Sequence, residues 1–148
     1  MTSNFPLEIH TGCQFLLLPL SMCRYKDDIE IFNIIFCCLL LKDFLYQMSY
    51  MIAIHHIIAL LGCIAYSNTR TDTNTLGIAE FGSGMYNTYL LAKQYNSNVE
   101  IAYGLYAITM TMSNTLLIYR IYNHREQRIY ITAPFYLLVL TRQYYIYN

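Results

Sequence analysis

Apolar residues form long, nearly uninterrupted runs in this chain, and the longest covers residues 29–66. In a helix that rises about 1.5 Å per residue, a run of this length is roughly twice as long as the hydrocarbon core of a bilayer is thick. The run must therefore turn back once, and we expect the turn near residues 46–50. The pattern predicts one helix near residues 29–46 and a second near residues 49–66.

Three polar stretches divide the rest of the chain. Residues 67–75 are rich in Ser, Thr, Asn and Asp, which favour helix starts. Residues 94–100 form a second polar stretch, and residues 124–128 form a basic one. The remaining segments predict three further helices, near residues 75–93, 101–121 and 130–147. The predicted fold class is therefore all-α.

The first 28 residues contain one short apolar stretch, residues 13–23, which Pro19 interrupts. No basic residue precedes this stretch and no A-x-A-like site follows it, so a cleaved signal peptide is a poor interpretation. The stretch is also too short to cross a bilayer as a helix. The charged residues 24–28 then predict a surface turn. We therefore divide the chain into an N-terminal segment with a short apolar helix, residues 1–28, and a single helical bundle, residues 29–148.

The composition favours a membrane protein. Apolar residues make up 56% of the chain and charged residues 12%, which is half of the roughly 25% charged fraction of ordinary globular proteins. This imbalance predicts a polytopic transmembrane bundle with about five spans plus the short N-terminal helix. The formal net charge is zero. Because there is no basic surface to hold phosphates, we expect no nucleic-acid partner.

The five cysteines lie in apolar stretches, at positions Cys13, Cys23, Cys37, Cys38 and Cys63. They form no repeated CxxC pair and do not cluster with histidines or aspartates, so neither a zinc site nor a disulfide framework is indicated. We interpret them as small hydrophobic residues, and we expect no metal and no cofactor.

Two adjacent histidines, His55 and His56, lie inside a segment apolar enough to be buried in a membrane. Ionisable side chains are costly in hydrocarbon, so their presence there favours a functional role. Two acids, Asp43 and Glu80, also lie in or beside apolar segments. Glu80 and Asn87 fall on one face of the predicted helix 75–93, and that face is expected to point into the bundle.

These five residues (Asp43, His55, His56, Glu80 and Asn87) form the predicted polar network, which would line an internal lipid pocket. If the protein is an enzyme, His55 and His56 are the candidate catalytic residues, because a neutral imidazole can accept a proton from a hydroxyl or amine as a general base. A carboxylate such as Asp43 or Glu80 would then orient the imidazole. The alternative is a network of hydrogen bonds between helices that fixes the bundle and performs no chemistry.

The segment from Asp43 through the His55-His56 pair resembles the TLC domain, as does the segment from Glu80 to Asn87 followed by Leu-Ala-Lys at residues 91–93. This multi-pass membrane domain is shared by ceramide synthases, translocating-chain-associating proteins and lipid-homeostasis proteins. The resemblance runs from about His10, which matches a histidine of the first conserved helix, to the C-terminus. It implies an integral protein of the endoplasmic reticulum or another endomembrane.

Departures from the family pattern separate its branches. Ceramide synthases carry a further His-Asp and another Asp after the histidine pair, and this chain lacks them. The spacing Glu80-x-Gly82-x-Gly84-x-x-Asn87 is closer to the E-x-S-x-P-x-x-N pattern of the lipid-regulatory branch, with glycines in place of its serine and proline. The chain is also shorter than a full TLC domain.

Three functions remain open at this point. The favoured one is a membrane protein that binds or senses lipid and acts in lipid homeostasis. The first alternative is an acyltransferase similar to ceramide synthase, with acyl-CoA as a substrate and His55 or His56 as general base. The second is a structural or translocation-associated component. The expected partners are membrane lipids, with a second copy of the chain or another membrane protein as the alternative.

Overall fold

Six α-helices make up nearly all of the structure. The computed structural model describes residues 6–22, 26–45, 50–66, 70–123 and 129–147. The helices are α1 (Leu7–Met22), α2 (Lys26–Asp43), α3 (Tyr50–Tyr66), α4 (Arg70–Gln94), α5 (Val99–Asn123) and α6 (Ile129–Tyr147). No strand occurs in these ranges. The all-α prediction is confirmed.

The predicted and observed helices differ mainly where polar residues suggested turns. Helix α1 begins at Leu7, before the apolar stretch starts, and α2 begins at Lys26, inside the predicted surface turn. Helix α4 begins at Arg70, although residues 67–75 were predicted as a loop. Leu76 and Gly77 pack against α1, and this tertiary contact supports helical structure that the local sequence disfavours. The predicted turn at residues 46–49 and the basic loop 124–128 lie outside the described residues.

Helices α1 and α4 pack against each other in opposite directions. Near the end of α1, Ser21 lies against Gly77 near the start of α4, where an added Cβ would be 2.3 Å from the Ser21 Oγ. At the other end, the Tyr95 hydroxyl, just after α4, donates a hydrogen bond to the Glu8 carboxylate. Small residues allow helix backbones to approach closely, so Gly77 sets the separation of the two helices at one end.

Two groups of buried apolar residues stabilise the bundle. The larger joins the first four helices and contains Leu17, Phe32, Phe36, Leu39, Leu40, Ala59 and Leu76. The rings of Phe32 and Phe36 stack within it, with centroids 5.8 Å apart. The smaller group joins α5 to α6 through Tyr106, Met110 and Ile146. Helix α4 packs against both α1 and α5 and therefore links the two halves of the bundle.

The connection between α4 and α5 is a tight turn, in agreement with the polar stretch predicted at residues 94–100. Asn96 and Asn98 adopt positive φ angles of 50° and 45°. Asparagine enters this left-handed region more readily than most residues because its short side chain can hydrogen-bond locally. The amide of Ser97 also donates to the Ala92 carbonyl. The turn therefore brings α5 back alongside α4.

Large apolar side chains point outward from all six helices. Examples that are each at least 40% exposed are Leu16, Ile34, Leu61, Tyr86, Ile108 and Leu140. Several polar side chains are buried instead, among them Gln14, Glu80, Ser113, Asn114 and Arg142. Water-soluble proteins normally bury such apolar residues and expose such polar ones.

One helix in the described part of the chain is long and apolar enough to cross a membrane. It is the segment Val99–Arg120 of α5, with a mean hydropathy of 1.3. Helices α1 and α3 have only 16 and 17 residues, below the roughly 20 of a typical span. Helix α2 carries charged residues at both ends. The structure is therefore weakly compatible with a membrane protein, and multiple spans stay a prediction.

Candidate functional site

Asp43 lies between two histidines that come from different helices. It is the last residue of α2, and its Oδ2 is 3.4 Å from Nε2 of His56 on α3. Its Oδ1 is 4.0 Å from Nδ1 of His10 on α1 and accepts a hydrogen bond from the neighbouring Lys42 ammonium. We call these four residues the Asp43 cluster. Three helices therefore converge on a single carboxylate.

Each imidazole of the Asp43 cluster has a buried ring nitrogen that forms no hydrogen bond in the part of the chain that the structure describes. Nδ1 of His10 and Nδ1 of His56 are buried and form no hydrogen bond within the described residues. A buried polar atom without a partner is costly, and such atoms in a native structure are often explained by a bound molecule. The cluster therefore has capacity to bind a further polar group.

A second polar group lies along the seam between α1 and α4. The Gln14 side chain donates from Nε2 to the Glu80 carboxylate at 2.9 Å and accepts from Asn87 Nδ2 at 2.7 Å. We call these residues the Gln14 bridge. Gln14 follows His10 by four residues, so both side chains lie on one face of α1. Helix α1 therefore connects the bridge to the Asp43 cluster.

His55 lies beside its neighbour and makes no contact of its own with Asp43. The rings of His55 and His56 meet edge to face, with centroids 5.5 Å apart, and no hydrogen bond to the His55 side chain occurs within the described residues. His56 is packed on its other side by the ring of Phe44. Of the two histidines, it is thus His56 that a carboxylate contacts.

The side chain of Arg142, on α6, is buried in contact with α4 and α5. Its side chain is 8% exposed. Its Nη2 donates to the Ala79 carbonyl at 2.8 Å and contacts the Met110 sulfur at 3.1 Å. Gly82 makes this position accessible, because an added Cβ there would be 2.9 Å from Nη2. Nε of Arg142 is buried and has no partner among the described residues.

The five predicted site residues therefore fall into separate contacts. The structure brings Asp43 together with His56, and it joins Glu80 to Asn87 through Gln14. Gln14 and Arg142 were not among the predicted site residues. Each is a polar residue inside an otherwise apolar segment, and this is the signal that would have identified them.

Among the described residues, no group of three His, Cys, Asp or Glu side chains has the arrangement of a metal site. Cys13 and Cys38 are free thiols. The Asp43 cluster presents imidazole, carboxylate and ammonium groups, which donate, accept and transfer protons.

No protein-family model, no curated protein and no solved structure matches this chain.

Proposed function

We propose that this chain is a TLC-domain protein of the endoplasmic reticulum or another endomembrane that binds the polar headgroup of a lipid at the Asp43 cluster. The observation that carries the proposal is that the two histidines beside the Asp43 carboxylate, His10 and His56, each have a buried Nδ1 that forms no hydrogen bond to any described residue. These atoms lie in a bundle whose surface presents large apolar side chains.

A membrane location is supported by the distribution of side chains and by helix length. Helix α5 has 25 residues, which corresponds to about 37 Å, longer than the roughly 30 Å hydrocarbon core. Ile108 and Leu140, on α5 and α6, point outward, where acyl chains would solvate them at little cost. Buried polar residues such as Gln14 and Glu80 pair with each other instead, as polar groups in membrane helices do.

The Asp43 cluster suits a headgroup that carries a hydroxyl or an amine. Asp43 can accept a hydrogen bond from such a group, and a neutral imidazole can accept or donate one according to its tautomer. Lys42 keeps a positive charge next to the carboxylate and partly neutralises it. A polar group that reaches either Nδ1 atom would therefore supply a hydrogen bond that this atom lacks among the described residues.

The test is native mass spectrometry with lipid extraction on the detergent-purified protein and on His56→Ala and His10→Ala variants. Ile57→Ala is the matched control, because Ile57 is an exposed neighbour of His56 on the same helix. We expect a defined lipid on the parent and the control, and at least tenfold less on both histidine variants. Retention of the same lipid by folded His56→Ala protein would refute the headgroup site.

A second function, acyl transfer, is favoured by the contact between His56 and Asp43. A carboxylate 3.4 Å from Nε2 can orient the imidazole and leave Nδ1 as the base. In this reaction the amine of a long-chain base would attack the thioester carbon of an acyl-CoA, and the C–N bond would form. His56 Nδ1 would take the amine proton and pass it to the departing thiolate as the C–S bond breaks.

This function predicts that His56→Ala abolishes amide formation from a long-chain base and acyl-CoA, while expression and membrane insertion stay unchanged. Amide product would be measured by mass spectrometry, with Ile57→Ala again as the control. Amide formation at the parental rate in the folded variant would exclude His56 as the base. Co-purifying protein subunits together with indifference to both His10→Ala and His56→Ala would instead favour a structural component.

A further inference from the structure

Arg142 carries a positive charge that no described carboxylate neutralises by direct contact. An arginine stays protonated in proteins, and its side chain here is 8% exposed. None of the ion pairs among the described residues includes Arg142. The nearby Glu80 directs its carboxylate to Gln14 of α1 instead. Burial of a charge that no counter-ion contacts is unfavourable, so an anion in contact with Arg142 would be stabilised.

The donors of Arg142 are only partly used. Nη2 is bound by the Ala79 carbonyl and the Met110 sulfur, whereas Nε is buried without a partner. A guanidinium presents its N–H groups in a planar fork that matches the two oxygens of a carboxylate or phosphate. The free Nε belongs to this fork.

Helix α3 lies beside α6, the helix that carries Arg142. Helix α4 packs closely against α1 and against α5, whereas α3 packs less extensively, against α2 and α6. The exposed apolar side chains of α3 and α6, such as Leu61 and Leu140, would contact an acyl chain outside.

We propose that Arg142 binds the oxyanion of a lipid, either the carboxylate of a fatty acid or the phosphate of a phospholipid, that enters beside α3. This inference rests on the proposed lipid-binding function and adds the charge of the ligand and a second point of attachment.

Equilibrium binding to the protein in neutral detergent tests the inference with three probes: oleate, dioleoyl phosphatidic acid and the uncharged oleyl alcohol. The variants are Arg142→Gln and, as the matched control, Arg120→Gln at the end of α5. We expect an anionic probe to bind the parent and the control equally, and Arg142→Gln at least tenfold more weakly. Binding of oleate alone identifies a fatty acid, and binding of phosphatidic acid alone identifies a phospholipid.

Gly82→Ala provides a test that keeps the charge, in case Arg142→Gln does not fold. The added Cβ would displace the guanidinium, so anionic binding is expected to weaken, whereas Gly104→Ala has open space at its Cβ and should bind as the parent does. Parental affinity in Arg142→Gln or Gly82→Ala, or equal binding of oleyl alcohol, would overturn the inference.

The two proposals fail in different ways. If His56→Ala loses its lipid and Arg142→Gln keeps full affinity for the anionic probes, the Asp43 cluster is the headgroup site and Arg142 is not. If the parent binds none of the probes and carries no defined lipid, both proposals are wrong.

Discussion

At the scale of single residues, the buried side chains with the clearest roles are polar. The Gln14 side-chain amide is both a donor and an acceptor, since it donates a hydrogen bond to Glu80 and accepts one from Asn87. A leucine of similar size would fill the same volume and supply neither interaction. The Gln14 bridge therefore requires an amide at this position, and the contribution of that amide to stability can be measured.

Gln14→Leu should lower the free energy of unfolding by roughly 1–3 kcal/mol, because the buried Glu80 carboxyl loses its donor and Asn87 its acceptor. Chemical unfolding in mixed detergent micelles, followed by circular dichroism, measures the change. Gln94→Leu is the matched control, since this side chain is exposed at the end of α4 and its replacement should cost less. Equal losses in both variants would mean that the Gln14 bridge has no special importance.

A second residue-scale prediction concerns Glu8 and Tyr95 at the end of the bundle, outside its apolar part. The hydrogen bond from the Tyr95 hydroxyl holds the pKa of the exposed Glu8 carboxyl below its ordinary value. A lowered carboxyl pKa contributes stability above the unfolded pKa, and that contribution is lost as the pH falls through the folded pKa. The contact should therefore weaken in acid.

Tyr95→Phe should raise the pKa of Glu8 towards its ordinary value, because the stabilising donor is removed. Titration of the Glu8 carboxyl carbon by NMR measures the shift. Tyr119→Phe, at the far end of α5 from this turn, is the control and should leave Glu8 unchanged. An unchanged Glu8 titration in Tyr95→Phe would show that the hydrogen bond is absent in solution.

At the scale of helices, the sequence predicted where the helices lie more accurately than where they begin and end. Helices α3, α5 and α6 lie within a few residues of the predicted segments, because long apolar runs between polar stretches are a strong signal. Helix α4 begins five residues earlier than predicted, at Arg70, where Ser, Thr and Asn residues suggested a loop. Contact with α1 overrides this local preference, and such a tertiary contact cannot be predicted from the sequence of one segment.

The close approach of α1 and α4 predicts the effect of Gly77→Ala. The new methyl group would overlap Ser21 Oγ and Cβ and force the helices apart, with an expected loss of about 1–3 kcal/mol. Gly12→Ala has open space and should be neutral or stabilising, because alanine favours helix by up to about 1 kcal/mol over glycine. Unfolding in mixed micelles compares the two variants.

Ser21→Gly added to Gly77→Ala should recover part of the lost stability, since it removes the atoms that the methyl group meets. If Gly77→Ala is as stable as Gly12→Ala, the two helices do not approach each other as the structure shows.

At the scale of the whole molecule, the exposed apolar surface predicts contact with lipid. Spin labels at Ile108→Cys and Leu140→Cys, in a background without the native cysteines, should be relaxed by dissolved oxygen and protected from a water-soluble nickel reagent. Ser97→Cys in the exposed turn between α4 and α5 is the control and should show the opposite preference. Strong nickel accessibility at Ile108 and Leu140 in bilayers would argue against embedding of α5 and α6.

The sequence by itself determined the helical class, the approximate helix positions and the presence of costly polar residues in apolar segments, because these depend on composition and local periodicity. Asp43 and His56 were both predicted to belong to a polar network, but the sequence left open which acid would meet which histidine. Only the tertiary structure decided which polar side chains meet: Gln14 reaches Glu80 across 66 positions of sequence, and Arg142 reaches Ala79 across 63. Such contacts depend on the rotation and packing of whole helices, which local periodicity does not fix.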